Sequence, residues 1–271
     1  MQTRAFGSAI VPVLGIGTWK MEHDERASAI AAIRRAVELG MTHVDTAELY
    51  GSGRVETMVG EALSGIRDRV FLVSKVLPRN ASYEGTLRAC EQSLTRLRSD
   101  FLDCYLLHWR EDKPIDDTFR AFDKLVEQGK IRAWGVSNFD HEDLAEAVSL
   151  VGDGKIACNQ VAYHLNNRTI EHHVIPFCEA HRIAVVAYSP FGSGSFRSTK
   201  ELDAIAKRVG ATPRQLVLAF LTRRQSVLAI PKSSNVAHVE ELAKTVELDD
   251  ATVSAIGAMF PLSPWRGLHT L

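Results

Sequence analysis

Asp45, Tyr50, Lys75 and His108 are the residues whose types and spacing could move a proton. A short, mostly apolar run, Met41–Val44, reads as a buried strand with Asp45 where it should end. Tyr50 then precedes the turn Gly51-Ser52-Gly53, which holds a phenol on a loop beside the strand tip. Two further apolar runs end in the same way, Val70–Ser74 in Lys75 and Phe101–Leu107 in His108. A free phenol, with a pKa of about 10, exchanges protons poorly near neutrality. One ammonium about 4 Å away, at an effective dielectric near 20, is worth roughly 4 kcal/mol. The expectation is that Lys75 pulls the Tyr50 pKa down into a usable range, with Asp45 keeping Lys75 charged and aligned. His108 would hydrogen-bond the phenol or a substrate oxygen.

These side chains meet only if their strands are neighbours. The chain alternates strand and helix: Val13–Thr18, then Glu25–Leu39; Met41–Val44, then Arg54–Leu63; Val70–Ser74, then Tyr83–Leu97; Phe101–Leu107, then Ile115–Gln128. It continues with Ile131–Val136, then His141–Leu150; Ile156–Val161, then Ile170–His181; Arg182–Ala187, then Lys200–Val209 and Pro213–Thr222; and finally Val227–Ile230. Eight such units over 271 residues predict an α/β fold, a (β/α)8 TIM barrel, as one domain spanning 1–271. In such folds the carboxyl ends of the strands carry the site, which is where Asp45, Lys75 and His108 fall. Thr3–Val11 reads as an N-terminal β-hairpin capping the barrel floor, with a frayed terminus as the alternative. The connections Trp109–Pro114 and Phe191–Thr199, with the tail Phe260–Leu271, are expected on the site-bearing C-terminal face.

Composition narrows the function. With 32 Lys+Arg against 33 Asp+Glu and no basic stripe, nucleic-acid binding is excluded. The absence of a signal-type segment or long apolar run implies a soluble, cytoplasmic protein without a membrane partner. Cys90, Cys104, Cys158 and Cys178 stand singly in apolar segments and read as buried free thiols. No zinc-type spacing occurs, so no metal is expected; adjacent His172-His173 would point to different helix faces. Gly15-x-Gly17 lacks the third glycine of a dinucleotide fingerprint, which would fall at Lys20. Gly192-Ser193-Gly194-Ser195 could cradle phosphate through its amides or be a mobile loop.

Several motifs in order resemble the aldo-keto reductase family: Gly15-Ile16-Gly17-Thr18-Trp19, Asp45-Thr46-Ala47 with Tyr50-Gly51, Lys75, and Leu107-His108-Trp109. Gly135-Val136-Ser137-Asn138-Phe139, Asn159-Gln160-Val161, Ala187-Tyr188-Ser189-Pro190 and Ile230-Pro231-Lys232-Ser233 continue the match. The pattern is similar to short microbial members that reduce ketones, dicarbonyls and aldehydes. The resemblance implies NADPH extended across the barrel mouth and the catalytic set Asp45, Tyr50, Lys75 and His108, with Tyr50 as proton donor. It implies that Ser137, Asn138 and Gln160 hold the nicotinamide carboxamide and that Tyr188 stacks on the ring. Ser189, Phe191 and Gly192 would line the pyrophosphate, and Lys232 with Ser233 would meet the 2′-phosphate. Gly17, Thr18, Asp45, Ser234, His238 and Glu241 complete the expected cofactor set. The substrate pocket would be Trp19, Tyr50, His108 and Trp109, taking a small carbonyl compound, and the family's habit is a monomer.

The chain departs from that pattern at three positions. His238 replaces the arginine usual in NADP-preferring members, Leu242 an asparagine, and Arg110 a proline. The first two departures imply a weakened NADPH preference with NADH also usable. Two other functions compete: a class I aldolase using Lys75 as a Schiff base, and a regulatory subunit that binds NADPH with little turnover.

Overall fold

The computed structural model describes residues 1–111 and 113–269. The chain opens with the antiparallel hairpin Thr3–Phe6 (β1) and Ala9–Pro12 (β2). Gly7 turns it at a positive φ of 57°, where a β-carbon would sit 3.0 Å from Ala157. Eight parallel strands follow, hydrogen-bonded in chain order. They are Ile16–Gly17 (β3), His43–Asp45 (β4), Phe71–Val76 (β5), Leu102–Leu107 (β6), Ile131–Ser137 (β7), Ile156–Ala162 (β8), Ala184–Tyr188 (β9) and Val227–Ala229 (β10). Parallel bridges Leu14–Ala229 and Gly17–Lys232 join the first to the last and close the barrel.

The helices are Arg26–Glu38 (α1), Arg54–Ala62 (α2), Tyr83–Leu97 (α3), Ile115–Glu127 (α4), His141–Val151 (α5), Val174–Ala180 (α6), Lys200–Arg208 (α7), Pro213–Leu221 (α8), Val236–Leu242 (α9) and Asp250–Met259 (α10). Local chemistry sets their starts: Ser82 caps α3, and Thr212 with Gln215 forms a capping box on α8, ahead of Pro213. The helix expected over Ile170–His181 is instead broken, a short 3₁₀ turn at Thr169–Glu171 preceding α6. Pro176 explains the break, since proline is tolerated in a helix's first turn and not in its interior. α9 and α10 escape a periodicity reading because each buries only two positions, Val239 and Leu242 or Thr252 and Ile256.

Two apolar cores result. One lies between the barrel and its helices; the other fills the barrel with Val73, Cys104, Leu106, Cys158, Val186, Leu228 and Ile230. Phe6 of the hairpin belongs to the inner core and plugs the floor, its ring edge-on to Phe71 at 4.9 Å. Side chains alternate faces along a strand. The next inward position above each of these fillers is therefore a residue at the mouth: Lys75 above Val73, His108 above Leu106, Gln160 above Cys158, Tyr188 above Val186, and Lys232 beyond Ile230. All four cysteines are buried and free. Among the described residues no helix is long and apolar enough to cross a membrane, and no cluster of three metal-ligating side chains occurs.

His43 lies below Asp45 on the inward face of β4, its ring edge-on to Phe6 and Phe71. Both ring nitrogens are buried without a described hydrogen-bond partner. Desolvation lowers its pKa from 6.5 to about 4, overriding the opposing pull of Asp45. The unfolded chain takes up a proton that the fold refuses, so this contribution is complete above pH 6.5 and is lost as pH falls through 4. The gap corresponds to about 3 kcal/mol. His43→Leu should flatten the stability profile in this window, measured as urea unfolding from pH 7 downward; an unchanged slope would remove His43 as the cause.

Candidate active site

At the carboxyl ends of β4 and β5, register sets the first contact. Asp45 pairs with Val73, and Lys75 lies two residues farther along on the same inward face. The expected strand Val70–Ser74 runs on to Val76, so Lys75 lies inside β5 instead of following it. It is 0 % exposed. Its ammonium donates to Asp45 Oδ1 at 2.6 Å, to the main-chain oxygen of Thr46 at 2.8 Å and to the Tyr50 hydroxyl at 3.3 Å. Three donors meet three acceptors, and the amine is fully used. The other Asp45 oxygen accepts from Gln160 Nε2 at 2.7 Å, and its main-chain oxygen from Thr18 Oγ1 at 2.9 Å. Tyr50, 9 % exposed, is held on the short Tyr50–Gly53 turn, where Gly51 takes a left-handed conformation. The His108 ring lies edge-on to Tyr50 at 5.9 Å and to Trp109 at 4.8 Å.

The electrostatics correct one expectation. The Tyr50 pKa is raised, not lowered: desolvation outweighs the Lys75 charge, and Asp45 adds to the rise. Lys75 has most of its field answered by Asp45, so the phenol faces a nearly neutral pair and keeps its proton. Burial alone would drive the Lys75 pKa down, but Asp45 and Tyr50 leave it raised, and the amine stays charged. Burial, then the Lys75 charge, holds His108 well below its usual pKa, so its imidazole is neutral. The arrangement is a proton-bearing phenol backed by a fixed cation, with a neutral imidazole beside it. That is a set able to donate a proton to an oxygen in the cleft.

The cleft above this group has a volume of about 1150 Å³, beyond the roughly 300–1000 Å³ usual for a small-molecule pocket. Of the expected cofactor residues, Gly17, Thr18, Asp45, Ser137, Asn138, Gln160, Tyr188, Ser189, Phe191, Lys232, Ser233 and His238 line it. So do Trp19 and Trp109. Gly192, Ser234 and Glu241 do not line it. Glu241 accepts from Thr212 Oγ1 at 2.7 Å and faces Arg214 at 3.7 Å, and the Ser234 hydroxyl bonds Asp24. Lys232 is likewise ion-paired with Asp24.

Asn138 takes a positive φ of 59° past β7, a strain asparagine tolerates better than most residues. Its amide nitrogen donates to His108 O at 3.0 Å and Ser137 Oγ at 3.2 Å, and its oxygen accepts from the Tyr188 hydroxyl at 2.8 Å. Arg214 also lines the cleft and was not expected there. One local signal marks it: a cation in the first turn of α8 opposes the helix dipole.

The loops divide. Trp109, Arg110 and Glu111 line the cleft, as do Phe191, Ser193, Gly194, Phe196 and Arg197. None of the described tail residues does. Trp265 instead packs edge-on against His141 and His173, and His172 Nε2 bonds Ser263 O. Asp112, Thr270 and Leu271, within the expected site loop and tail, lie outside the described residues.

Comparison with known proteins agrees with this geometry. Residues 13–259 match the Aldo/keto reductase family. The chain is 42% identical over 264 residues to methylglyoxal reductase YeaE of Escherichia coli (strain K12), covering 94% of this chain and 93% of that one. It is 35% identical over 226 residues to glyoxal reductase of Bacillus subtilis (strain 168), covering 82% and 79%. An aldo/keto reductase from Klebsiella pneumoniae, solved in complex with NADP and acetate, superposes with a TM-score of 0.94 at 41% identity, covering 100% of both chains. The match spans the barrel strands and the polar cluster at their carboxyl ends: the chain belongs to the aldo/keto reductase family.

Proposed function

We propose that this chain reduces small aldehydes, ketones or dicarbonyls to alcohols with NADPH, as a single barrel domain, monomeric and cytoplasmic. The observation that carries this reading is the buried Asp45–Lys75–Tyr50 chain of hydrogen bonds beneath an aromatic-walled cleft. The names of the methylglyoxal and glyoxal reductases favour dicarbonyls as substrates. A cleft of about 1150 Å³ lined by Arg197, Arg214 and Lys232 and by the half-buried Tyr188 suits an extended dinucleotide.

When bound, NADPH supplies a hydride to the carbonyl carbon. Tyr50 donates its proton to the carbonyl oxygen, and Lys75 stabilises the phenolate left behind. Asp45 holds Lys75 in place from below. Neutral His108 orients the same oxygen by a hydrogen bond, and Trp19 and Trp109 exclude water from it. In this reading Tyr188 presents a flat face to the nicotinamide, while Ser137, Asn138 and Gln160 meet its carboxamide with the hydrogen-bonding capacity their protein partners leave free. Ser189 and Phe191 would line the pyrophosphate. An aldolase role lacks support, since Lys75 has all three donors occupied and retains its charge.

Loss of NADPH absorbance with methylglyoxal, glyoxal and a panel of simple aldehydes and ketones tests the reaction; no turnover with any of them would leave a binding subunit. The 2′-phosphate is assigned to Lys232, Ser233, His238 and Arg214, the last a permanent guanidinium suited to bidentate capture. Arg214→Ala should weaken NADPH about tenfold and NADH little, in line with the loss of one charge-assisted contact. His238→Arg should tighten NADPH by less than that, because Arg214 is already present. Dissociation constants from quenching of protein fluorescence check both; equal losses for the two cofactors would remove Arg214 from the 2′-phosphate.

A further inference from the structure

A second cavity, of about 270 Å³, opens on the opposite end of the barrel. Its walls include Val13 and Leu14, just before β3, and Thr222 and Gln225, before β10, so it lies at the amino ends of the strands, away from the cleft. Three cations from three separate elements line it: Arg4 of β1, Arg223 beyond α8 and Lys244 beyond α9. The carboxylate among its lining residues is that of Glu247.

Arg4 is 8 % exposed, yet its described acceptors are neutral. They are Thr3 O at 3.1 Å and Gln2 Oε1 at 2.9 Å, and its Nε is buried without a partner. Buried guanidinium groups are ordinarily paired with a carboxylate, and an unpaired buried donor is costly. Burial accordingly lowers the Arg4 pKa. Arg223 donates to Tyr163 OH at 3.0 Å and Phe220 O at 2.7 Å and shares Glu171 with Arg168, so one carboxylate answers two guanidinium charges. Lys244 has no side-chain acceptor among the described residues.

We propose that this cavity binds a small phosphate-class oxyanion, held by Arg4, Lys244 and Arg223. A tetrahedral oxyanion offers acceptors in several directions, as cations from three elements require. It would tie the hairpin to the end of α8 and to the connection after α9, where three cations line the cavity against one carboxylate.

The test titrates inorganic phosphate, at constant ionic strength, into the full chain saturated with NADP⁺, with binding followed by calorimetry. Arg4 and Lys244 lie outside the cleft, so dependence on them separates the floor site from the cleft even if the cofactor reading fails. The expected result is saturable binding with a dissociation constant near ~1 mM, roughly tenfold weaker in Lys244→Gln and absent in Arg4→Met. Should Arg4→Met not fold, Lys244→Glu decides, with binding lost as expected and unchanged binding overturning the site. No saturable binding, or equal binding in all variants, also overturns it. A second arm with glycerol 3-phosphate identifies the source: tighter binding than phosphate indicates a phosphomonoester, and equal or weaker binding the free ion.

Discussion

Tyr50→Phe should lower kcat for carbonyl reduction by about two to four orders of magnitude while leaving NADPH affinity nearly unchanged. The substitution keeps the ring that packs edge-on against His108 and removes only the hydroxyl, whose described contact is the 3.3 Å bond from Lys75. That bond is long, so its loss should cost about 1 kcal/mol of stability or less, too little to explain a large fall in turnover. The proton is the point. Burial holds the phenol in its protonated form despite the nearby ammonium, and Tyr50 lines the cleft whereas Lys75 does not. Neutral His108, with a lowered pKa, is poorly suited to replace it as the acid. Single-turnover rates at saturating NADPH measure the step directly, and a variant that kept most of its rate would end the assignment of Tyr50 as donor.

The pair beneath the phenol should respond more broadly. Lys75→Met leaves the Asp45 carboxylate buried with only the Gln160 amide and no cation, and Asp45→Asn strips Lys75 of its counter-charge. Breaking one partner of such a buried pair costs about 3–5 kcal/mol, so both variants should unfold at clearly lower urea concentration as well as losing kcat by about two orders or more. The double variant Asp45→Asn/Lys75→Met removes both charges together. Its losses in stability and in kcat should fall far short of the summed single losses, because the residues act as one unit. Urea midpoints and kcat for the three variants complete the cycle; additive losses would show that Lys75 and Asp45 act separately, against a pair that supports Tyr50 as one unit.

Much of this site was readable along the chain because a barrel converts a period of two into a ring. Once the runs ending near Asp45, Lys75 and His108 are parallel neighbours, alternation alone aims the next inward side chain at the mouth. Tyr50 was legible for a related reason, since it stands between a strand end and the Gly51–Gly53 turn that must bring it back over that end. The broken helix before α6 needed closer attention to Pro176 than hydrophobic spacing gives. Sequence motifs placed twelve of the expected cofactor residues on the cleft, but not the competition for their atoms. That Lys232 is held by Asp24, Glu241 by Thr212 and Arg214, and Asn138 by three neighbours depends on loops distant in the chain.

The sequence by itself determined the barrel, its order of strands, the hairpin at the floor and which titratable residues stand at the strand ends. These rest on local periodicity and on residue type at strand ends, both carried by neighbours in the chain. Tertiary structure alone decided the charge states. The sequence reading lowered the Tyr50 pKa through Lys75, whereas desolvation and the closeness of Asp45 to Lys75 raise it, and neither burial nor a 2.6 Å contact is written in spacing. It likewise decided that Arg214, far from Lys232 along the chain, lines the same cleft, and that Arg4 is buried on the floor with only neutral acceptors among the described residues. Electrostatic energy depends on distance and solvent access, and only the closed barrel sets either one.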